Sequence, residues 1–304
     1  MLKFIEDNQN LKFNTSSLSK KFLSYLEMET SIPNSFSQIN YDLLFSVYEE
    51  VDSMLLNQLL SLITKTNIKD FNVVITGNIG VGKSTAAEIF RQLLEHELSI
   101  KNLNKQVKVV SYPEYIRIPD VGENMLKLRN SNRITVETFQ HFILDCWDRL
   151  LTAKEFNNED KTIKRVNIFE RLPEDSINCF ARQSFMNKEI SEEGFTRLNN
   201  RYNELIKHHN MFESKNCVIV KTHNEKTIGN LINRIIKNII DCLLQNYDQT
   251  EDKINLKINM MFILTVKEET YCKRIKIRGR DAESALSKET LSMFNDYYES
   301  FVAN

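Results

Sequence analysis

FNVVITGNIGVGKSTAAEIF, residues Phe71 to Phe90, decides how the rest of the chain is read. Val73-Val74-Ile75-Thr76 is an apolar, β-branched run of strand length. Gly77-Asn78-Ile79-Gly80-Val81-Gly82-Lys83-Ser84 follows, and Thr85-Ala86-Ala87-Glu88-Ile89-Phe90 continues with helix formers. Strand, G-x-x-x-x-G-K-S, helix is the setting in which this spacing becomes a phosphate-binding loop. Of the chain's seven glycines, three (Gly77, Gly80, Gly82) stand within these few positions. Glycines let successive backbone N–H groups face inward around an anion, and the following helix adds its positive end. The stretch therefore predicts that Gly77, Asn78, Ile79, Gly80, Val81, Gly82, Lys83, Ser84 and Thr85 surround the phosphates of a nucleoside triphosphate. Lys83 would reach the outer phosphates, and the Ser84 hydroxyl would coordinate Mg²⁺. A glycine turn before a buried helix is the purely structural alternative.

Outward from this stretch, composition sets limits. The 304 residues are 41% hydrophobic and 27% charged, a globular balance rather than a disordered one. A net charge of −1 offers no global attraction to nucleic acid or an anionic membrane. Cys146, Cys179, Cys217, Cys242 and Cys272 are odd in number and scattered, which predicts reduced, mostly buried thiols in a cytoplasmic setting. The first residues, MLKFIEDNQNLKF, lack an apolar signal core, and no apolar run has the length of a membrane span.

Residues 1–66 are expected to form a helical extension packed on the core. Ser16 to Met28 suits a short helix ended by Ser31-Ile32-Pro33-Asn34. Leu44, Val47, Val51, Met54, Leu55, Gln58, Leu59 and Leu62 keep a three-four spacing, an amphipathic helix of about five turns. A partner or dimer surface is the other use for that face. Residues 67–304 alternate strands with helices. Gln106–Tyr112, Thr162–Phe169, Cys217–Lys221 and Met260–Val266 suit strands. Val136–Ala153, Asp175–Phe185, Glu192–His208, Ile228–Asn246, Glu268–Arg280 and Lys288–Phe301 suit helices. That alternation predicts an α/β fold, a parallel sheet with helices on both faces.

In such a sheet functional residues gather at the carboxyl ends of strands. Glu114 follows the second strand and Glu170 ends the third. Phosphoryl transfer to a hydroxyl asks for one carboxylate to accept the proton, another on the metal side, and cations around the transferring group. Arg171, and the basic run Lys273, Arg274, Lys276, Arg278 and Arg280, are the candidate cations. Standing alone, that run would be a solvated helix face; beside a phosphate loop it suits a lid over 273–284.

Together these motifs resemble the deoxyribonucleoside kinases, most closely the thymidine kinases of herpesvirus type. GNIGVGKST is similar to the family's GNI-x-x-GKST loop, and Tyr112-Pro113-Glu114 to the segment bearing its base. The resemblance implies a P-loop three-layer sandwich that phosphorylates the 5′-hydroxyl of a deoxynucleoside with ATP and Mg²⁺, in nucleotide salvage for DNA synthesis. It implies Glu114 as the base, Glu170 on the Mg²⁺ side with Ser84, and Arg171 near the 5′-oxygen. Thr138-Phe139-Gln140 resembles the helix whose glutamine bonds the base edge, and an amide suits a pyrimidine by offering donor and acceptor together. Phe180 matches the aromatic that stacks on the base, and Tyr115 lies close by. Arg274-Ile-Lys-Ile-Arg278-Gly-Arg280-Asp-Ala-Glu283 resembles the lid, with its arginines on phosphates and Glu283 on the sugar 3′-hydroxyl. Ile143 and Trp147 share the helical face of Gln140, and Ser176 would face them. Without the arginine and aspartate found there in purine- and cytosine-selecting relatives, thymidine or another pyrimidine is favoured. A cytoplasmic enzyme follows, in host cytoplasm or nucleus for a viral member, with no nucleic-acid or membrane partner and a homodimer as an open option.

The departures from the pattern are equally specific. Leu128-Arg129-Asn130-Ser131 stands where the family has a tyrosine for the 3′-hydroxyl, and Ile118-Pro119 replaces an aromatic. Residues 209–257 read as an insertion. The family's last strand, beside the adenine, has no counterpart after the closing helix; Cys217 to Lys221 could complete the sheet instead. These departures motivate two alternatives, a degenerate nucleotide-binding relative without activity and a nucleoside monophosphate kinase.

Overall fold

A computed structural model describes residues 41–66, 68–117, 121–152, 163–223, 226–247, 257–280, 283 and 286–301. The helix expected over Ser16–Met28 lies outside them. The five described strands are β1 (Asp70–Gly77), β2 (Val107–Tyr112), β3 (Lys164–Glu170), β4 (Val218–His223) and β5 (Lys257–Thr265). They form one parallel sheet in the order β2-β3-β1-β5-β4. The stretch read first is thus the central strand. The 217–221 segment does complete the sheet: β4 pairs with β5 and supplies the edge on that side.

Side-chain alternation divides the core into two layers, as period-two strands require. Val73, Ile75, Val166, Ile168, Met260, Phe262 and Leu264 join one cluster. It is covered by α1 (Tyr41–Glu50), α2 (Ser53–Lys65), α3 (Lys83–Ile100) and α8 (Ile228–Tyr247). Val74, Val110, Tyr112, Phe169, Met261 and Ile263 join the other. Here the cover is α4 (Gly122–Asn130), α5 (Val136–Thr152), α6, α7 (Glu192–His209), α9 (Glu268–Arg278) and α10 (Lys288–Glu299). The α6 run comprises Pro173–Asp175, the π-helical Ser176–Ala181 and Arg182–Met186. This is the expected three-layer α/β sandwich.

One local difference from the sequence reading has a clear cause. The single amphipathic helix expected between residues 44 and 62 is two helices, because the Asp52 side chain accepts from the N–H groups of Met54 and Leu55 and starts a new one. Both still direct apolar faces at the sheet, with Val47, Leu56, Leu59, Leu60 and Ile63 buried. Within 209–257, β4 and α8 are integral to sheet and core, with Ile232, Ile235, Ile236 and Ile239 fully buried.

Register is pinned by a polar row inside the sheet. Asn72 lies level with Asn167 on one side and Asn259 on the other. Asn167 donates to Asn72 at 2.8 Å, and Asn72 donates to Asn259 at 2.7 Å. Four cysteines are buried thiols and Cys272 is half-buried, as expected. No described helix is long and apolar enough to cross a membrane.

Candidate active site

Parallel strands in register release their carboxyl ends along one edge, and the site forms there. β1 ends in Gly77, whose φ is +139° and where a Cβ would sit 2.3 Å from the Leu264 carbonyl oxygen of β5. Only glycine fits this close approach. Gly80, with φ at +81°, packs on the Tyr271 carbonyl of α9, where a Cβ would sit 2.9 Å from the oxygen. The chain then enters α3 through Gly82, which offers no side-chain cap, so the first N–H groups of the helix remain for a ligand. Asn78 braces the loop by donating to Leu291 O on α10 at 2.7 Å. Arg274 donates to Val81 O at 2.9 Å from the opposite side.

Lys83 is buried beneath the loop and donates to Asn78 O at 2.9 Å. Burial, and then the nearby Arg171 charge, push its ammonium down to about 8. A phosphate would supply the missing counter-charge. Ser84 hydrogen-bonds Glu170 Oε1, with the carboxylate buried at the end of β3. A hydroxyl and a carboxylate oxygen side by side are hard donors of the kind that Mg²⁺ takes. The fit to that ion is therefore good.

Arg171 adopts φ +72°, a left-handed conformation unusual away from glycine. It turns the guanidinium back across the strand ends, where Nη1 donates to Gly77 O at 2.9 Å and Nε to Glu114 Oε1 at 3.0 Å. Burial alone would push the Glu114 carboxyl up, but Arg171 and Lys83 outweigh it and hold the group below its ordinary range. Glu114 is thus held in its anionic form by the two cations. Arg171 also lies 4.9 Å above the Phe180 ring, a cation–π contact that fixes the aromatic wall.

The cleft has a volume of about 270 Å³. The loop residues Ile79, Gly80, Lys83 and Ser84 line it with Glu114, Glu170, Arg171, Arg278 and Arg280 at the charged end. Tyr115, Gln140, Ile143, Trp147, Ser176, Phe180 and Glu283 line the remainder. All the residues expected around a nucleoside therefore meet in one space. Gln140 is buried on α5, and its Oε1 has no hydrogen-bond partner among the described residues, so its acceptor is available to a ligand. Trp147 serves both readings: it faces the cleft and packs on Phe169 at 6.4 Å. Arg278 and Arg280 (3.2 Å) both pair with Glu283. Arg274, Gly77, Asn78, Val81, Gly82 and Thr85 do not line the cleft; they shape the loop or its far side.

Two residues escaped the sequence reading. Arg117, on the turn Tyr115–Arg117, contacts the second oxygen of Glu170 at 3.2 Å. An arginine three positions beyond a strand-end glutamate was its signal. Tyr298 is fully buried on α10, and its hydroxyl accepts from Arg171 Nη1. Its spacing from Leu291 and Phe294 marked a buried helix face, but nothing local marked the partner.

Comparison with the curated proteins returns no match. Among solved structures, one similar chain is a deoxyadenosine kinase from M. mycoides with bound dATP, at 19% identity and a TM-score of 0.41. The alignment covers 76% of this chain and 82% of that one. The sequence model of deoxynucleoside kinases matches residues 73–239, more than half of the chain and including the loop, both strand-end glutamates, Gln140 and Phe180. This protein belongs to the deoxynucleoside kinase family.

Proposed function

We propose that the protein transfers the γ-phosphoryl group of ATP to the 5′-hydroxyl of a deoxynucleoside, with pyrimidines, thymidine above all, as preferred acceptors. The observation carrying this reading is the meeting of Glu114, Gln140, Arg171 and Phe180 with Lys83 and Ser84 in one cleft. Glu114 accepts the hydroxyl proton as the bond to phosphorus forms. Its ionised state at neutral pH supports that role. Arg171 holds Glu114 and the reacting oxygen together. Lys83, Arg278 and Arg280 neutralise charge on the transferring group. Ser84 and Glu170 would hold Mg²⁺, which when bound would supply positive charge beside the phosphates. Gln140 meets the base edge with its free acceptor and amide donors, Phe180 stacks on the base, and Glu283 accepts from the 3′-hydroxyl. Trp147 and Ser176 close the base end without a charged pair, which supports a pyrimidine over a purine.

Purified protein incubated with ATP, Mg²⁺ and each of the four deoxynucleosides tests the reading. Monophosphate forming fastest from thymidine is expected. Absence of product from all four overturns the kinase reading, and a purine as best acceptor overturns the base preference.

A further inference from the structure

Away from the cleft, α7 ends against the middle of α5 at a cluster that the phosphoryl-transfer site does not use. Adjacent residues on a helix point about 100° apart. Even so, His208 and His209, the last two residues of α7, both turn toward one carboxylate oxygen. His209 Nε2 stands 2.6 Å from Asp148 Oδ1, and His208 Nδ1 stands 3.9 Å from the same atom. The two rings lie 4.5 Å apart. The His209 side chain is 4% exposed and so held in place, whereas His208 is 74% exposed and free to adjust its rotamer. The other oxygen of Asp148 accepts from Arg201 at 2.7 Å, and Arg201 is held in turn by Asp145 at 3.3 Å.

We propose that Asp148, His208 and His209 form a binding site for a transition-metal divalent cation, with Zn²⁺ as the best fit. The three ligand atoms lie within 4.8 Å of one another. A tetrahedral ion with bonds of 2.0–2.1 Å needs them about 3.3 Å apart, so rotation of the exposed His208 ring must bring it closer and the 2.6 Å His209–Asp148 pair must open as its shared proton is displaced. Two imidazoles exclude the hard ions Mg²⁺ and Ca²⁺ and select Zn²⁺ or its neighbours. Arg201 is a second-layer partner: it fixes the carboxylate by the oxygen the ion does not use, as such partners commonly do. Its charge is offset locally by Asp145 and Asp148, which leave the cluster a net anion when both rings are neutral. On binding, the ion takes the place of the proton between His209 Nε2 and Asp148 Oδ1; a neutral ring carries its proton on Nδ1 instead, and an imidazolium releases one proton to solvent. Three protein ligands leave a fourth position for water. The ion would tie α7 to α5 one residue beyond Trp147, so the site buttresses the cleft wall without touching a substrate.

Titration of the full chain, freed of metal, with Zn²⁺ by calorimetry and with Co²⁺ by visible absorption tests the proposal. One Zn²⁺ per chain, a raised thermal midpoint and the intense bands of four-coordinate Co²⁺ are expected. His208→Ala removes an exposed ring without disturbing the core and should weaken Zn²⁺ binding at least tenfold; His209→Ala should abolish it. No uptake by the native chain overturns the site. So does Zn²⁺ binding that persists unchanged in His208→Ala, which would place the ion on the thiols or elsewhere.

Discussion

Arg171 and Glu114 follow different strands, yet the Arg171 guanidinium meets the Glu114 carboxylate across 3.0 Å in a largely buried setting. Each keeps the other charged. Replacing Glu114 with Gln keeps the shape and removes the carboxylate proposed to accept the proton. Turnover should fall by about 10² to 10⁴ while nucleotide binding is retained. Steady-state rates alongside a nucleotide binding isotherm check this, and unchanged turnover removes Glu114 from the role of base. Arg171→Met, by contrast, strands a buried carboxylate and should also cost about 3–5 kcal/mol of stability, read from denaturant melts.

Arg117 touches Glu170 and is not one of the cleft-lining residues, so its replacement should separate orientation from binding. Arg117→Gln is expected to lower kcat about tenfold, the usual order for a group that orients a ligating side chain. The nucleoside KM should hold steady, and Arg117→Lys should recover part of the loss. An unchanged kcat would show that Ser84 alone orients the carboxylate.

The asparagine row is a matter of stability rather than catalysis. Asn72→Leu removes the central member and leaves the amides of Asn167 and Asn259 short of a partner inside the sheet. Asn167 is the buried one of these two, and an unpaired buried group costs about 1–3 kcal/mol, so a loss of at least about 1 kcal/mol is expected in a chemical melt. A neutral result would mean that the strands hold their register without the row.

Glu88, on the buried side of α3, receives Arg91 at 2.6 and 3.0 Å and Gln92 at 2.6 Å. Burial favours its protonated form, but these donors outweigh it and hold the carboxyl below the ordinary value of 4.5. A depressed carboxyl pKa stabilises the fold above the unfolded value, and the contribution is lost as pH falls through the folded value. The gap in thermal midpoint between the native chain and Glu88→Gln should therefore be full at neutral pH and shrink below about pH 4.5. A gap that is constant with pH would mean that the charge on Glu88 is not what stabilises.

Local sequence made the donor half of the site legible, because one continuous stretch carries strand, loop, lysine, serine and helix. Glu114 and Glu170 were legible as strand-end carboxylates, given a parallel sheet. What eluded the sequence was long-range. The sheet order puts β4 outside β5, although β4 precedes it in the chain, and the strand's own residues hold no signal of its neighbour. Arg171 could be read as a cation but not as one in a left-handed conformation, since φ there answers to the packing around Gly77 O and Tyr298. Asp52 was read as part of a continuous helix because apolar spacing runs straight across it; the cap interrupts the backbone and not the pattern.

The Arg171–Tyr298 contact spans 127 positions of sequence. Closing so long a loop is entropically unfavourable until other contacts have already brought its ends together. The guanidinium therefore finds its hydroxyl only after α10 has docked on a sheet that is already built. On a ribosome adding about 5–20 residues per second, the phosphate loop emerges many seconds before its partner helix. A chain stalled early in that interval would lack Leu264, Tyr271 and Leu291, against which the loop itself packs. Phosphoryl transfer thus becomes a stringent reporter of complete folding.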